Sequence, residues 1–212
     1  MNDGKDWYAW HGPYADPASP LARRLRLIRQ HIDGWLDERP GEALSVLSMC
    51  AGQGHDILAV LASRSDADRV DATLVEYDSR NVAAARSTAT AEGLDTVTVM
   101  QADAGDLVSY RQAVPADLVL MVGVLGNISD ADARATSRTL PQLCAADATV
   151  IWTRTRRAPD LTPTVRAWFA DAGFAERAFT APRDVLFSVG VHRFTGTPQP
   201  LAAGGTIFRF VA

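Results

Sequence analysis

A chain of 212 residues, 47% hydrophobic and 22% charged, has the length and composition of an ordinary globular protein with a substantial core. Its net charge of −4 argues against nucleic-acid partners, which call for a basic face. Two cysteines make no disulfide framework, no apolar run reaches the ~20 residues of a membrane span, and the first residues hold no signal-peptide core, so a cytoplasmic protein without membrane contact is expected.

In chain order, the first segment sets Trp7, Tyr8, Trp10, His11 and Tyr14 among Gly, Pro and Asp, with no helical or strand period. Either these rings pack statically on the domain, or they form a lid over a bound ligand, as loops that cover sites do. Ser19-Pro20 then reads as N-cap and first position of a helix whose Leu21, Leu25, Ile28, Ile32 and Trp35 make an apolar stripe. Arg23, Arg24, Arg26 and Arg29 lie mostly off that stripe and read as a solvated face rather than an anion patch. Pro40-Gly41 ends this portion. Residues 1–40 are thus expected to form an N-terminal lid segment and helix, and residues 41–212 the main α/β portion of one structural domain.

An apolar run, Leu44 to Met49, predicts a buried strand, followed by Cys50-Ala51-Gly52-Gln53-Gly54-His55-Asp56 and a helix from Ile57. Glycines at such a turn let the backbone approach a ligand closely, and the N–H groups of the next helical turn would face it. Residues 71–78 predict a second strand ending in acids. Its Glu76 lies about 20 residues past the glycine turn, the spacing at which a βαβ unit brings a carboxylate to a ribose diol. A helix over 79–92 with Gly93 as its stop leads to a third strand at 96–100, after which Asp103 either caps a helix near Gly105 or meets a ligand.

The apolar run 116–122 predicts a central parallel strand running into Gly123. A helix over 129–144, a fifth strand at 148–152, a helix over 160–172 and a sixth strand at 174–180 follow. Residues 184–194 fit a strand or a short helix, and 206–211 alternate as a closing strand. These elements make one doubly wound, mostly parallel α/β sheet. The spacing of His, Cys, Asp and Glu suggests no metal site.

The strand, the glycine turn, Glu76 and Asp103 together resemble the class I S-adenosylmethionine-dependent methyltransferases. Gly52 and Gly54 match the last two glycines of that family's first motif; Cys50 stands at the first, and Ser48 where an acid is common. The resemblance implies a Rossmann-like sheet, the cofactor S-adenosylmethionine with product S-adenosylhomocysteine, and direct methyl transfer to a small molecule. It places Ala51, Gly52, Gly54, Asp56, Glu76, Tyr77, Asp103, Ala104 and Gly123 at the cofactor, with Asp56 in place of the missing acid, Glu76 on the ribose, and Asp103 with the Ala104 N–H on the adenine. Tyr8 and Tyr14 would cover the methionine end, and His11 and His192 are the candidate bases. The loop after the fourth strand lacks the Asn/Asp-Pro-Pro-aromatic sequence of enzymes that methylate nucleobase or glutamine amino groups. NAD is disfavoured, because no third glycine follows Gly54 at the required spacing. A protein of this fold that binds the cofactor without transferring methyl is the alternative.

Overall fold

The structure, a computed structural model, describes residues 6–211. Of the N-terminal segment, residues 1–5 lie outside the described residues. The chain runs through a 3₁₀ segment Ala9–Ala15, α1 (Pro20–Asp37), β1 (Leu44–Met49), α2 (Ile57–Ala62), β2 (Val70–Glu76), α3 (Ser79–Ala91), β3 (Val97–Gln101), β4 (Ala116–Met121), α4 (Asp130–Thr139), β5 (Cys144–Thr155), α5 (Thr162–Asp171), β6 (Phe174–Thr180) and β7 (Phe187–Phe194). The seven strands form one sheet in the order β3-β2-β1-β4-β5-β7-β6. The first five strands are parallel, and β7 enters antiparallel between β5 and β6. The undecided segment 184–194 is therefore largely strand. Order reverses between β1 and β4, the place where open α/β sheets leave a crevice at their carboxyl ends.

Alternation along the strands feeds two cores. Val46, Leu118, Leu120 and Ile151 face α1, α2 and α3 through Ile28, Ile32, Leu58, Leu61 and Val82. Leu47, Met49, Val119, Met121 and Trp152 face α4 and α5 through Ala133, Val165 and Phe169. Both faces are covered, so the central strands read as continuous apolar runs. Helix α1 starts as expected: the Ser19 side chain accepts the Ala22 N–H at 3.0 Å, with Pro20 first in the helix. Among the described residues no helix is long and apolar enough to cross a membrane.

Residues 206–211 do not close the sheet, which corrects the alternation reading. Single antiparallel bridges join Thr206 to Asp106 and Phe210 to Ile128, so the tail lies across the loops that follow β3 and β4. Ile207 and Phe208 are consecutive and both buried, which strand alternation over one sheet face does not produce. The Ile207 N–H donates to the Gly105 carbonyl at 2.8 Å and the Val211 N–H to that of Asn127 at 2.9 Å. A Cβ on Gly105 would run into the Phe208 carbonyl, so glycine is what lets the tail lie this close.

Candidate functional site

At the carboxyl ends of β1, β2, β3 and β4 lies a cavity of about 580 Å³, a size suited to a small-molecule ligand. Its floor is the turn after β1. Cys50 has φ of 51° and Gly52 of 58°, both in the left-handed region, where a residue with a Cβ is strained. The Gly54 N–H closes the turn on the Ala51 carbonyl at 2.9 Å. Asp56 caps α2 through the Ile57 N–H at 2.8 Å, and burial pushes its carboxyl above the usual range.

Glu76 ends β2, and each of its oxygens already has a fixed partner. Oε2 accepts the Gly52 N–H and Oε1 the Asp78 N–H, both at 2.8 Å. The carboxylate is thus pinned to the glycine turn, and each oxygen retains acceptor capacity toward the cavity. At the end of β3, Asp103 lines the cavity and accepts the Gly105 N–H at 2.8 Å in an Asx turn, but the helical segment that follows, Leu107–Tyr110, is capped by Asp106 through the Val108 N–H and not by Asp103. Gly123, after β4, is fastened by its N–H to the Thr153 hydroxyl at 2.8 Å.

The N-terminal segment and the C-terminal tail meet over this floor. Trp7 and Phe210 rings lie 5.2 Å apart, and Trp7, Trp10, His11, Tyr14, Phe208 and Phe210 all line the cavity. His11 Nδ1 lies 2.8 Å from the Trp7 carbonyl. A Cβ on Gly52 would collide with His11 Nε2, and Cε1 would be only 2.9 Å away, so the imidazole rests on the turn. Burial lowers the pKa of His11. His55, 5.7 Å from the His11 ring and 5.1 Å from Tyr14, is pushed down to about 4 by burial, with His11 and Arg29 adding to the effect.

Ala51, Gly52, Asp56, Glu76, Tyr77, Asp103, Ala104, Gly123, His11 and Tyr14 therefore share one cavity. Three candidates stand elsewhere. Gly54 does not line it: a Cβ there would meet Leu58 and Leu74 at 2.7–2.9 Å, so this glycine serves close packing of α2 on β2. Tyr8 is 43% exposed and lies under the Arg80 guanidinium at 5.3 Å rather than over the cavity. His192 is buried in β7, 3.1 Å from the Trp152 indole nitrogen and 4.6 Å from the Phe169 ring, so its place is the core and not a base at the site. Burial holds it at about 4, hence neutral. Sequence reasoning missed the tail residues Phe208, Arg209 and Phe210, and Arg24, which faces the cavity instead of solvent. Among the described residues no group of three or more His, Cys, Asp or Glu could hold a metal ion.

Residues 23–171 match the family described as "Putative methyltransferase". The chain belongs to that methyltransferase family. No curated protein matches the sequence. Among solved structures, magnesium protoporphyrin IX methyltransferase (ChlM) from Synechocystis PCC 6803, with bound S-adenosylmethionine, superposes with a TM-score of 0.66 at 15% identity, covering 92% of this chain and 100% of that one. A possible exported protein from Bordetella parapertussis gives 0.68 at 17% identity, over 92% of this chain and 81% of that one. The DszA carbon methyltransferase gives 0.65 at 16% identity, over 89% of this chain but only 58% of its own length. At these identities the likeness is one of fold: the seven-stranded methyltransferase sheet.

Proposed function

We propose that this chain binds S-adenosylmethionine in the cavity and transfers its methyl group to a small molecule. The observation that carries the reading is Glu76, a carboxylate fixed by two backbone N–H groups at the end of β2, beside a left-handed glycine. Two acceptor oxygens held in that way suit a ribose diol, whose two O–H groups need acceptors at matched spacing. Asp103 one strand further out suits an adenine amino group, and the Ala104 N–H a ring nitrogen. When bound, the cofactor supplies an electrophilic methyl on a sulfonium that carries its own leaving group.

The protein's part is to align the acceptor and exclude water. The aromatic roof of Trp7, Trp10, Tyr14, Phe208 and Phe210 does the second, and its closeness over the cavity supports a small acceptor rather than a folded macromolecule. The N-terminal segment is then a lid. The tautomer supports reading His11 as the base: the Trp7 carbonyl can only accept, so Nδ1 carries the hydrogen and neutral Nε2 keeps its lone pair toward the turn. Tritiated-methyl S-adenosylmethionine incubated with the protein and a small-molecule extract tests the reading. Label in a low-mass product is expected; label confined to macromolecules, or none in any fraction, overturns it.

A further inference from the structure

The four arginines of α1 do not form the single solvated face that the sequence suggests. Arg23 pairs with Asp184 at 2.7 Å, Arg26 donates to the Pro17 carbonyl at 2.8 Å, and Arg29 directs Nε and Nη2 onto the His55 carbonyl. Arg24 turns into the cavity. Its Nη2 donates to the neutral Tyr14 hydroxyl at 3.2 Å, its guanidinium carbon lies 5.6 Å from the centre of the Trp10 ring, and its buried Nε has no hydrogen-bond partner. Elsewhere Arg64, Arg80, Arg154, Arg166 and Arg193 all find carboxylates; among the described residues Arg24 forms no ion pair.

Arg24 is half-buried, and a buried donor such as its Nε left unpaired is costly. Asp56 lies close enough for its charge to interact with that of Arg24, but among the described residues no acid of the cavity forms an ion pair with it. Asp56 is taken up as the α2 cap, and Glu76 and Asp103 are each held by backbone N–H groups at the ends of β2 and β3. What fits Arg24 is a ligand carboxylate, which a planar guanidinium meets through two parallel N–H bonds.

We infer that Arg24 is the carboxylate anchor of the cavity, holding the amino-acid end of S-adenosylmethionine. The assignment rests on the cofactor reading above and adds the third contact to it. The sheet order sets Asp103, Glu76 and Gly52 in a row at the ends of β3, β2 and β1. A ligand with its base at the first and its ribose at the second extends its remaining part over the glycine turn, toward His55, Tyr14 and Arg24. An acceptor carboxylate offers the same chemistry, so the test has to tell the two sources apart.

Calorimetry with S-adenosylhomocysteine and with 5′-methylthioadenosine, which keeps the adenosine but lacks the amino acid, does so. Arg24→Gln is expected to weaken S-adenosylhomocysteine by about 10- to 100-fold and to leave 5′-methylthioadenosine within about twofold of wild type. Arg24→Lys keeps the charge without the fork, and is expected to fall between the two; it carries the test if the glutamine variant misfolds by circular dichroism. Equal weakening of both ligands shows a structural role and overturns the inference. Unchanged S-adenosylhomocysteine affinity puts the carboxylate on the acceptor and also overturns it. A wild-type protein that binds neither ligand removes the cofactor reading and this inference with it; binding of both with no Arg24 effect removes the inference alone.

Discussion

Gly52→Ala tests how the N-terminal segment rests on the glycine turn. At φ of 58° an alanine pays about 1–2 kcal/mol for the left-handed backbone. Its Cβ also occupies the place of His11 Nε2, the far end of a side chain that can rotate away. Rotation breaks the hydrogen bond to the Trp7 carbonyl, a further loss of about 0.5–1.5 kcal/mol. The single variant should therefore lose roughly 1.5–3.5 kcal/mol, a drop of several degrees in Tm for a chain of this length. In a His11→Ala background only the backbone cost remains, so the double-mutant cycle should show a coupling of about 0.5–1.5 kcal/mol. Urea melts of the four proteins measure it. Equal cost of Gly52→Ala in both backgrounds would refute the contact between His11 and the turn.

Three further outcomes follow from the same geometry. His192 and His55 have folded pKa values of about 4 against 6.5 for the free side chain, so the stability that depends on their being neutral is complete above pH 6.5 and is lost as pH falls toward 4; Tm should decline over that window, and His192→Gln should flatten part of the decline without changing S-adenosylhomocysteine affinity. Phe208 is 2% exposed, and Phe208→Ala should cost the docked tail about 3–5 kcal/mol, read as faster tryptic cleavage after Arg209 while the core stays intact. Deleting residues 1–17 removes the roof residues Trp7, Trp10, His11 and Tyr14, and stopped-flow release of S-adenosylhomocysteine should speed by about tenfold or more, with far-UV circular dichroism unchanged.

The parallel strands were legible because both sheet faces are covered, so Leu44–Met49 and Ala116–Met121 appear as unbroken apolar runs between turn residues. Glu76 and Asp103 were legible because strand ends carry site residues in this sheet type, and an acid there stands out after an apolar run. Long-range placement hid the rest. Arg24 adjoins Leu25 on the helix, and only the arrival of Tyr14 and Trp10 turns its surroundings into a cavity. The tail has a strand's composition, but its backbone pairs with the loops after β3 and β4 instead of with a strand, through Asp106 and Ile128. His192 attracted a catalytic reading as one of few histidines. Its neighbours Val189, Val191 and Phe194 are all buried, and that apolar setting was the available sign of a core position.

Calorimetric titration of the wild-type protein and of Glu76→Ala with S-adenosylhomocysteine tests the central claim most directly. A saturable one-to-one isotherm is expected, weakened in the variant by roughly 1.5–3 kcal/mol for the loss of a charged hydrogen-bond acceptor. Absence of saturable binding to the wild type, or an affinity unmoved by Glu76→Ala, would contradict the placement of the cofactor in this cavity.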